Sequence, residues 1–130
     1  MISVVIPAFN DSEFLEEVLT ALQNQTFNNF RVIVVDSSTN KDSSIKIEQM
    51  LQNTTLDNRY KKINRSYAGR SMNVGIDLVE DELIGFLDTK TVPEDNWLES
   101  YLEIINKQYD GVFGVTKYEA HTNFQELLKA

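Results

Sequence analysis

The chain alternates between two hydrophobic periods, and this alternation restricts the folds open to it more than any single motif does. Residues 2–7 (ISVVIP) and 31–36 (RVIVVD) are β-branched runs of strand length, 83–88 (LIGFLD) and 112–116 (VFGVT) are two more, and 60–63 (YKKI) is a weaker one. Between them, Phe14, Leu15, Val18, Leu19 and Leu22 share one helical face. Ile47, Met50 and Leu51 share another, as do Met72, Ile76 and Val79, and then Trp97, Leu98, Tyr101, Leu102 and Ile105. Asn10, Asp11 or Ser12 can cap the first helix, with Glu13, Glu16 and Glu17 near its positive end; Asp95 or Asn96 can cap the last. The order is βαβαβαβαβ. Unbroken apolar strands separated by helices predict an α/β fold, a mostly parallel sheet with helices on both faces. Lys61 and Lys62 suit residues 60–63 to an exposed edge, and the acids Glu80, Asp81 and Glu82 read as a solvated helix-to-strand turn.

Composition narrows the partners. The 130 residues carry 12 Lys+Arg against 20 Asp+Glu, a formal charge of −8, and no Cys. This length predicts a single domain, residues 1–130, with no internal repeat or linker. The acidic balance argues against nucleic-acid polymers and against adsorption to anionic lipid, because both require a basic surface. No apolar stretch approaches the ~20 residues of a membrane span, and Met1 leads straight into an apolar run without a basic leader segment. The expectation is a cytoplasmic protein with no transmembrane segment, brought to a membrane surface only through partners.

Right-handed crossovers bring every strand-to-helix loop of such a sheet to one edge, where ligands bind. The residues expected there are Pro7, Ala8, Phe9 and Asn10, then Asp36, Ser37, Ser38 and Thr39, then 64–70, then Asp88, Thr89, Lys90 and Thr91. Neither G-x-G-x-x-G nor G-x-x-x-x-G-K-[ST] occurs, so a nucleotide held here is gripped by side chains and ordinary loops. Arg65, Arg70 and Lys90 give that edge a cationic character that the net charge hides.

Five blocks in order, 3–10 (SVVIPAFN), 22–27 (LQNQTF), 32–38 (VIVVDSS), 68–76 (AGRSMNVGI) and 85–88 with 92–98 (GFLD, VPEDNWL), resemble the family 2 glycosyltransferases of the GT-A fold. The resemblance implies a nucleotide-diphosphate sugar as donor and a glycan or lipid-linked hydroxyl as acceptor, as in polysaccharide biosynthesis. It assigns Pro7, Ala8, Asn10 and Asp36 to the base and ribose, counts Ser38 among the residues that bind the nucleotide sugar, and assigns Arg70 to the nucleotide or its diphosphate and Asp88 to the first position of the family's DxD motif. Mn²⁺ or Mg²⁺ beside Asp88 would bridge the two phosphates.

Two departures bear on activity. The DxD motif reads Asp88-Thr89-Lys90. A lysine there repels a divalent cation unless it turns away, so either Lys90 itself neutralises the diphosphate or donor binding is lost. The chain also stops at Ala130, whereas the family continues through an acceptor-binding half that supplies the general base. Asp110, Glu119 and His121 are the nearby titratable groups. The expectation is a truncated fold, the donor-binding half of an enzyme, completed by a missing second domain or by homo-oligomerisation. The alternative is an inactive descendant serving as a binding or assembly module. A receiver-like phosphotransfer module, with Asp88 as acceptor, is disfavoured because Pro7, Ala8, Phe9 and Asn10 stand where its acidic pair would be.

Overall fold

The computed structural model describes residues 1–117. Its elements are β1 Ile2–Ala8, α1 Ser12–Gln23, β2 Phe30–Asp36, α2 Lys41–Asn53, β3 Asn58–Lys62, α3 Ala68–Asp77, β4 Leu83–Phe86 and α4 Trp97–Ile105. All strands pair in parallel, in the order β3-β2-β1-β4. The expected parallel α/β sheet is present, with β3 on an edge as its lysines suggested. Tyr101 onward forms a compact unit distinct from Met1–Ser100.

The topology follows from crossover handedness. Steps from β1 to β2 and from β2 to β3 run one way across the sheet, whereas the step from β3 to β4 runs back past β1, so α3 lies on the face opposite α1 and α2. Val5, Ile33 and Val35 form the core under α3, together with Ile63, Val74, Leu78 and Val79. Val4, Ile6, Val32 and Val34 alternate to the other face and are fully buried too. Both central strands are therefore covered twice, which is why they read as continuous apolar runs.

Four expectations need correction. The buried side of α3 is Ser71 and Gly75 rather than Met72 and Ile76, and Ile76 is 38 % exposed. Gly75 sits so close to β1 that a Cβ there would collide with Val5; the small residues, not the apolar ones, mark the contact face. The strand expected at 112–116 does not form, and Phe113 and Val115 are almost fully exposed, since a strand needs a ladder partner whatever its pattern. β4 ends at Phe86, two residues early. Asp81, expected in a solvated turn, is largely buried, accepting from Ser3 Oγ at 2.6 Å and pairing with Arg31 at 3.2 Å.

The 22–27 block has a structural role. Gln25, buried after α1, donates its amide to the Glu94 carbonyl at 2.6 Å and accepts from Leu98 N at 3.1 Å, while Thr26 Oγ1 donates to Glu99 at 2.7 Å. These bonds fix the start of α4, whose Trp97 ring lies against Gly85 of β4.

Candidate functional site

The carboxyl ends of β1 and β2 are joined into one hydrogen-bonded unit. Ser37 N donates to the Ala8 carbonyl at 2.9 Å, and Asn10 N donates to Ser38 Oγ at 2.8 Å. Asn10 Oδ1 accepts from Thr39 N and Asn40 N at 3.1 and 3.0 Å, and its amide donates to Thr39 Oγ1. Asn10 does this from the left-handed region, at φ 53°, which asparagine tolerates better than most residues. Asn40 in turn caps α2, accepting from Asp42 N at 2.9 Å.

Asp36 lies beneath this unit with no solvent exposure. One carboxylate oxygen accepts from Ser38 N at 2.9 Å; the other accepts from Ser44 Oγ at 2.7 Å and Tyr60 Oη at 2.6 Å. Burial pushes the Asp36 carboxyl up, but the donors from Ser38, Tyr60 and Ser44 outweigh it and hold its pKa below the usual carboxylate range. The Tyr60 hydroxyl moves the opposite way, raised by burial and then by the hydrogen bond and negative charge of Asp36. The carboxylate that the resemblance assigns to the base and ribose accepts these three hydrogen bonds from the protein, and it shapes the loop that follows it.

The β4 loop joins from the other side. Thr89 is buried and donates to Asp11 Oδ2 at 2.9 Å, and Phe9 N approaches the same oxygen at 3.3 Å. Asp88 before it is exposed, and Lys90 after it turns onto α1, its Nζ 5.1 Å from the Phe14 ring centroid. The lysine that replaces the second acid therefore points at an aromatic face. Arg70 is exposed in the first turn of α3, lining an open hollow with Lys62, Ile63, Asn64 and Val74. Lys62 Nζ donates to the Ser38 carbonyl at 2.6 Å and so ties β3 to the β2 loop.

Of the residues expected at the site, Ala8, Asn10, Asp36 and Ser38 form one network, and Pro7 lies on β1 beside Val35. Arg70, Asp88 and Lys90 approach from other elements. Sequence reasoning missed Ser44 and Tyr60, read Asp11 only as a helix cap, and placed Thr89 on the ligand edge without its bond to Asp11. Tyr60 became visible only with the register, which pairs it with Val34, two residues before Asp36 and on the same face.

The sequence and the fold have counterparts among known proteins. The family model described as glycosyl transferase family 2 matches residues 3–128. The chain belongs to glycosyl transferase family 2. It is 27 % identical over 129 residues to the GalNAc(5)-diNAcBac-PP-undecaprenol beta-1,3-glucosyltransferase of Campylobacter jejuni, covering 96 % of this chain and 41 % of that protein. In fold it is similar to S. aureus TarS 1–349 in complex with UDP-GlcNAc, with a TM-score of 0.73, 22 % identity, and coverage of 89 % of this chain and 37 % of that one. It is also similar to the mannosyltransferase PcManGT of Pyrobaculum calidifontis in complex with GDP-Man and Mn2+, with a TM-score of 0.66, 18 % identity, and coverage of 72 % and 29 %. The fold is therefore that of GT-A glycosyltransferases, and the chain spans about two-fifths of the length of curated relatives such as the Campylobacter enzyme and less of several others.

A divalent metal accompanies the nucleotide sugar in the Pyrobaculum structure. Among the described residues here no group of three or more His, Cys, Asp or Glu could hold a metal ion, and at the β4 loop Asp88 is the exposed carboxylate. These residues fit a metal carried mainly by the ligand's phosphates and touched by one acid. They do not fit a cage built by the protein. Among the described residues no helix is long and apolar enough to cross a membrane.

Proposed function

We propose that residues 1–130 act as one donor-binding unit of a glycosyltransferase, which moves a sugar from a nucleoside-diphosphate donor to a hydroxyl of a glycan or lipid-linked acceptor. The observation that carries this reading is the fused edge itself: loops after β1, β2 and β4 locked together by buried polar groups, with Arg65, Arg70 and Lys90 exposed around them. A cross-linked polar rim with exposed cations suits an anionic ligand whose charge grows as it departs.

In this reading the unit formed by Ala8, Asn10 and Ser38 supports the nucleoside, with Asp36 holding the loop from below. The Arg70 guanidinium offers a planar fork to the diphosphate. Asp88 stands where a divalent ion riding on the phosphates would be touched; such an ion supplies charge neutralisation for the departing diphosphate. Lys90 reaches the same charge only by leaving Phe14, exchanging a weak cation–π contact for an ion pair. For the base that deprotonates the acceptor, Asp110 is exposed, and Glu119 and His121 lie outside the described residues.

The test is a melting-temperature panel with UDP-GlcNAc, UDP-glucose and GDP-mannose, with and without Mn²⁺, because a ligand of the folded state alone raises the transition. A rise with one donor is expected, and no rise with any at millimolar concentration defeats the reading. A shift requiring Mn²⁺ assigns phosphate neutralisation to the metal, and one indifferent to it assigns it to Lys90. Binding without sugar transfer, in the chain joined to an acceptor half, would favour the inactive binding module, a reading that the Asp88-Thr89-Lys90 motif motivates.

A further inference from the structure

We infer that the β3 edge and the β3–α3 loop form a surface that docks on anionic lipid, with Lys61, Lys62, Arg65 and Arg70 meeting the headgroups and Tyr67 entering the interface. This goes beyond the donor reading and does not depend on it. Net charge argues against such a partner only where charge is evenly spread, and here it is not. Residues 58–76 hold five of the chain's 12 Lys+Arg and none of its 20 Asp+Glu. All other residues together set seven cations against those 20 acids.

The fold keeps the basic stretch on one side. β3 ends the described sheet, in the order β3-β2-β1-β4, so Arg59, Lys61 and Lys62 stand on an edge; the loop to α3 carries Arg65 and Tyr67, and Arg70 follows in the first turn of the helix. Lys61, Lys62, Arg65 and Arg70 are all exposed. Arg59 pairs with Glu80 at 3.5 Å, but the other four form no ion pair among the described residues. Lys62 Nζ donates to the Ser38 and Ile63 carbonyls, at 2.6 and 3.1 Å, and Arg65 lies over the Phe9 ring. These partners are neutral, so four charges remain uncompensated. Acids elsewhere on the molecule weaken them little, since the field of an exposed charge is screened over about 8 Å at physiological salt.

Two features favour lipid over an anionic polymer. Tyr67, the N-cap of α3, is 91 % exposed, more than any other large apolar residue in Met1–Ser100. A ring left in water, in sequence between Arg65 and Arg70, suits a bilayer interface, where its body is buried and its hydroxyl stays wet. In the same segment Ile63 and Val74 line a hollow with Lys62, Asn64 and Arg70, so apolar and cationic side chains share one surface. Long basic side chains lay their stems on apolar surface and keep the charge at headgroup level. Docking through this loop sets the donor edge, which it borders, beside the membrane, where a lipid-linked hydroxyl would be presented.

Co-sedimentation with vesicles tests this without nucleotide. The full chain should pellet with vesicles of phosphatidylcholine and phosphatidylglycerol in equal parts, stay in solution with phosphatidylcholine alone, and be released by high salt. Lys61→Ala is expected to weaken binding about fivefold, the loss of one headgroup contact, and Tyr67→Ser about tenfold, through lost apolar burial. Both residues are exposed, so unchanged melting temperatures verify that the variants fold. Equal pelleting with both kinds of vesicle, or none with either, overturns the proposal, as does wild-type binding by Lys61→Ala. Wild-type binding by Tyr67→Ser, or heparin bound as tightly as the charged vesicles, overturns it in favour of an anionic polymer. Failure of every donor to raise the melting transition defeats the donor reading and leaves the vesicle result standing.

Discussion

The two sides of strand β1 are built to different standards. Toward β2, every residue of β1 has a partner, both faces are buried, and the loops beyond the ladder are cross-linked by side chains. Toward β4, pairing covers four residues, and Ile84 and Phe86 are 40 % and 44 % exposed. Polar atoms concentrate on the well-built side: Asp36, Ser38 and Ser44 are each nine-tenths buried or more. Such placement is tolerable only where every donor and acceptor is matched. The β1–β2 side holds a site in shape, while the β4 side carries apolar surface with little structural consequence inside the described residues.

Asp36→Asn tests the strong side hardest. The amide cannot accept at both atoms, so of Ser38 N, Ser44 Oγ and Tyr60 Oη at least one loses its acceptor, and the charge assistance to the others vanishes. A loss of about 3 kcal/mol is expected in urea denaturation. The same variant carries a pH signature. The folded pKa of Asp36 lies below its unfolded value, about 3.9. Its contribution is therefore fully present above that value and is lost as pH falls through the folded pKa. Wild type should weaken from about pH 4 downward more steeply than Asp36→Asn, and parallel acid limbs would show that the network is not what holds Asp36 ionised. Tyr60 gives the mirror effect in alkali, where its raised folded pKa removes stability from about pH 10 upward.

Gly75→Ala probes the packing behind that network. Alanine favours the helix by about 1 kcal/mol in isolation, but here its methyl group would be driven into Val5, which is fully buried and cannot yield. A net loss of about 2 kcal/mol is expected, and a stabilised variant would mean that α3 can lift from β1 freely.

These two residues also mark what the sequence disclosed. Strand runs buried on both faces are legible because burial dictates composition, so β1, β2 and the parallel sheet could be read directly. Asp36 was legible as a residue of the ligand edge, but its hydrogen-bond partners were not. Whether a strand-end carboxylate faces a ligand or the protein depends on Tyr60 and Ser44, which reach it from an edge strand and from α2. Gly75 was legible as part of a motif, while the stripe of Met72 and Ile76 beside it suggested the wrong face. Periodicity counts apolar residues, and a helix pressed onto a strand is chosen for small ones. Residues 112–116 have strand composition without a strand, because pairing is a property of two segments and the pattern describes one.

The smallest effect should come from the weak side. Phe86→Ser removes a ring that is already 44 % exposed on a strand at the edge of the described sheet, and its neighbour across the ladder, Val5, lies in the cluster packed by Val74 and Leu78. The expected change is within about 0.5 kcal/mol. Solubility should improve, since an edge that is unpaired among the described residues and has an apolar face is a template for self-pairing. A loss of 2 kcal/mol or more would show that Phe86 is a core residue and that the contrast between the two sides of β1 is overdrawn. Static light scattering of Ile84→Ser and Phe86→Ser beside wild type then separates an inert apolar edge from a self-associating one: equal masses at all concentrations belong to the first, and a wild-type mass that falls on substitution belongs to the second.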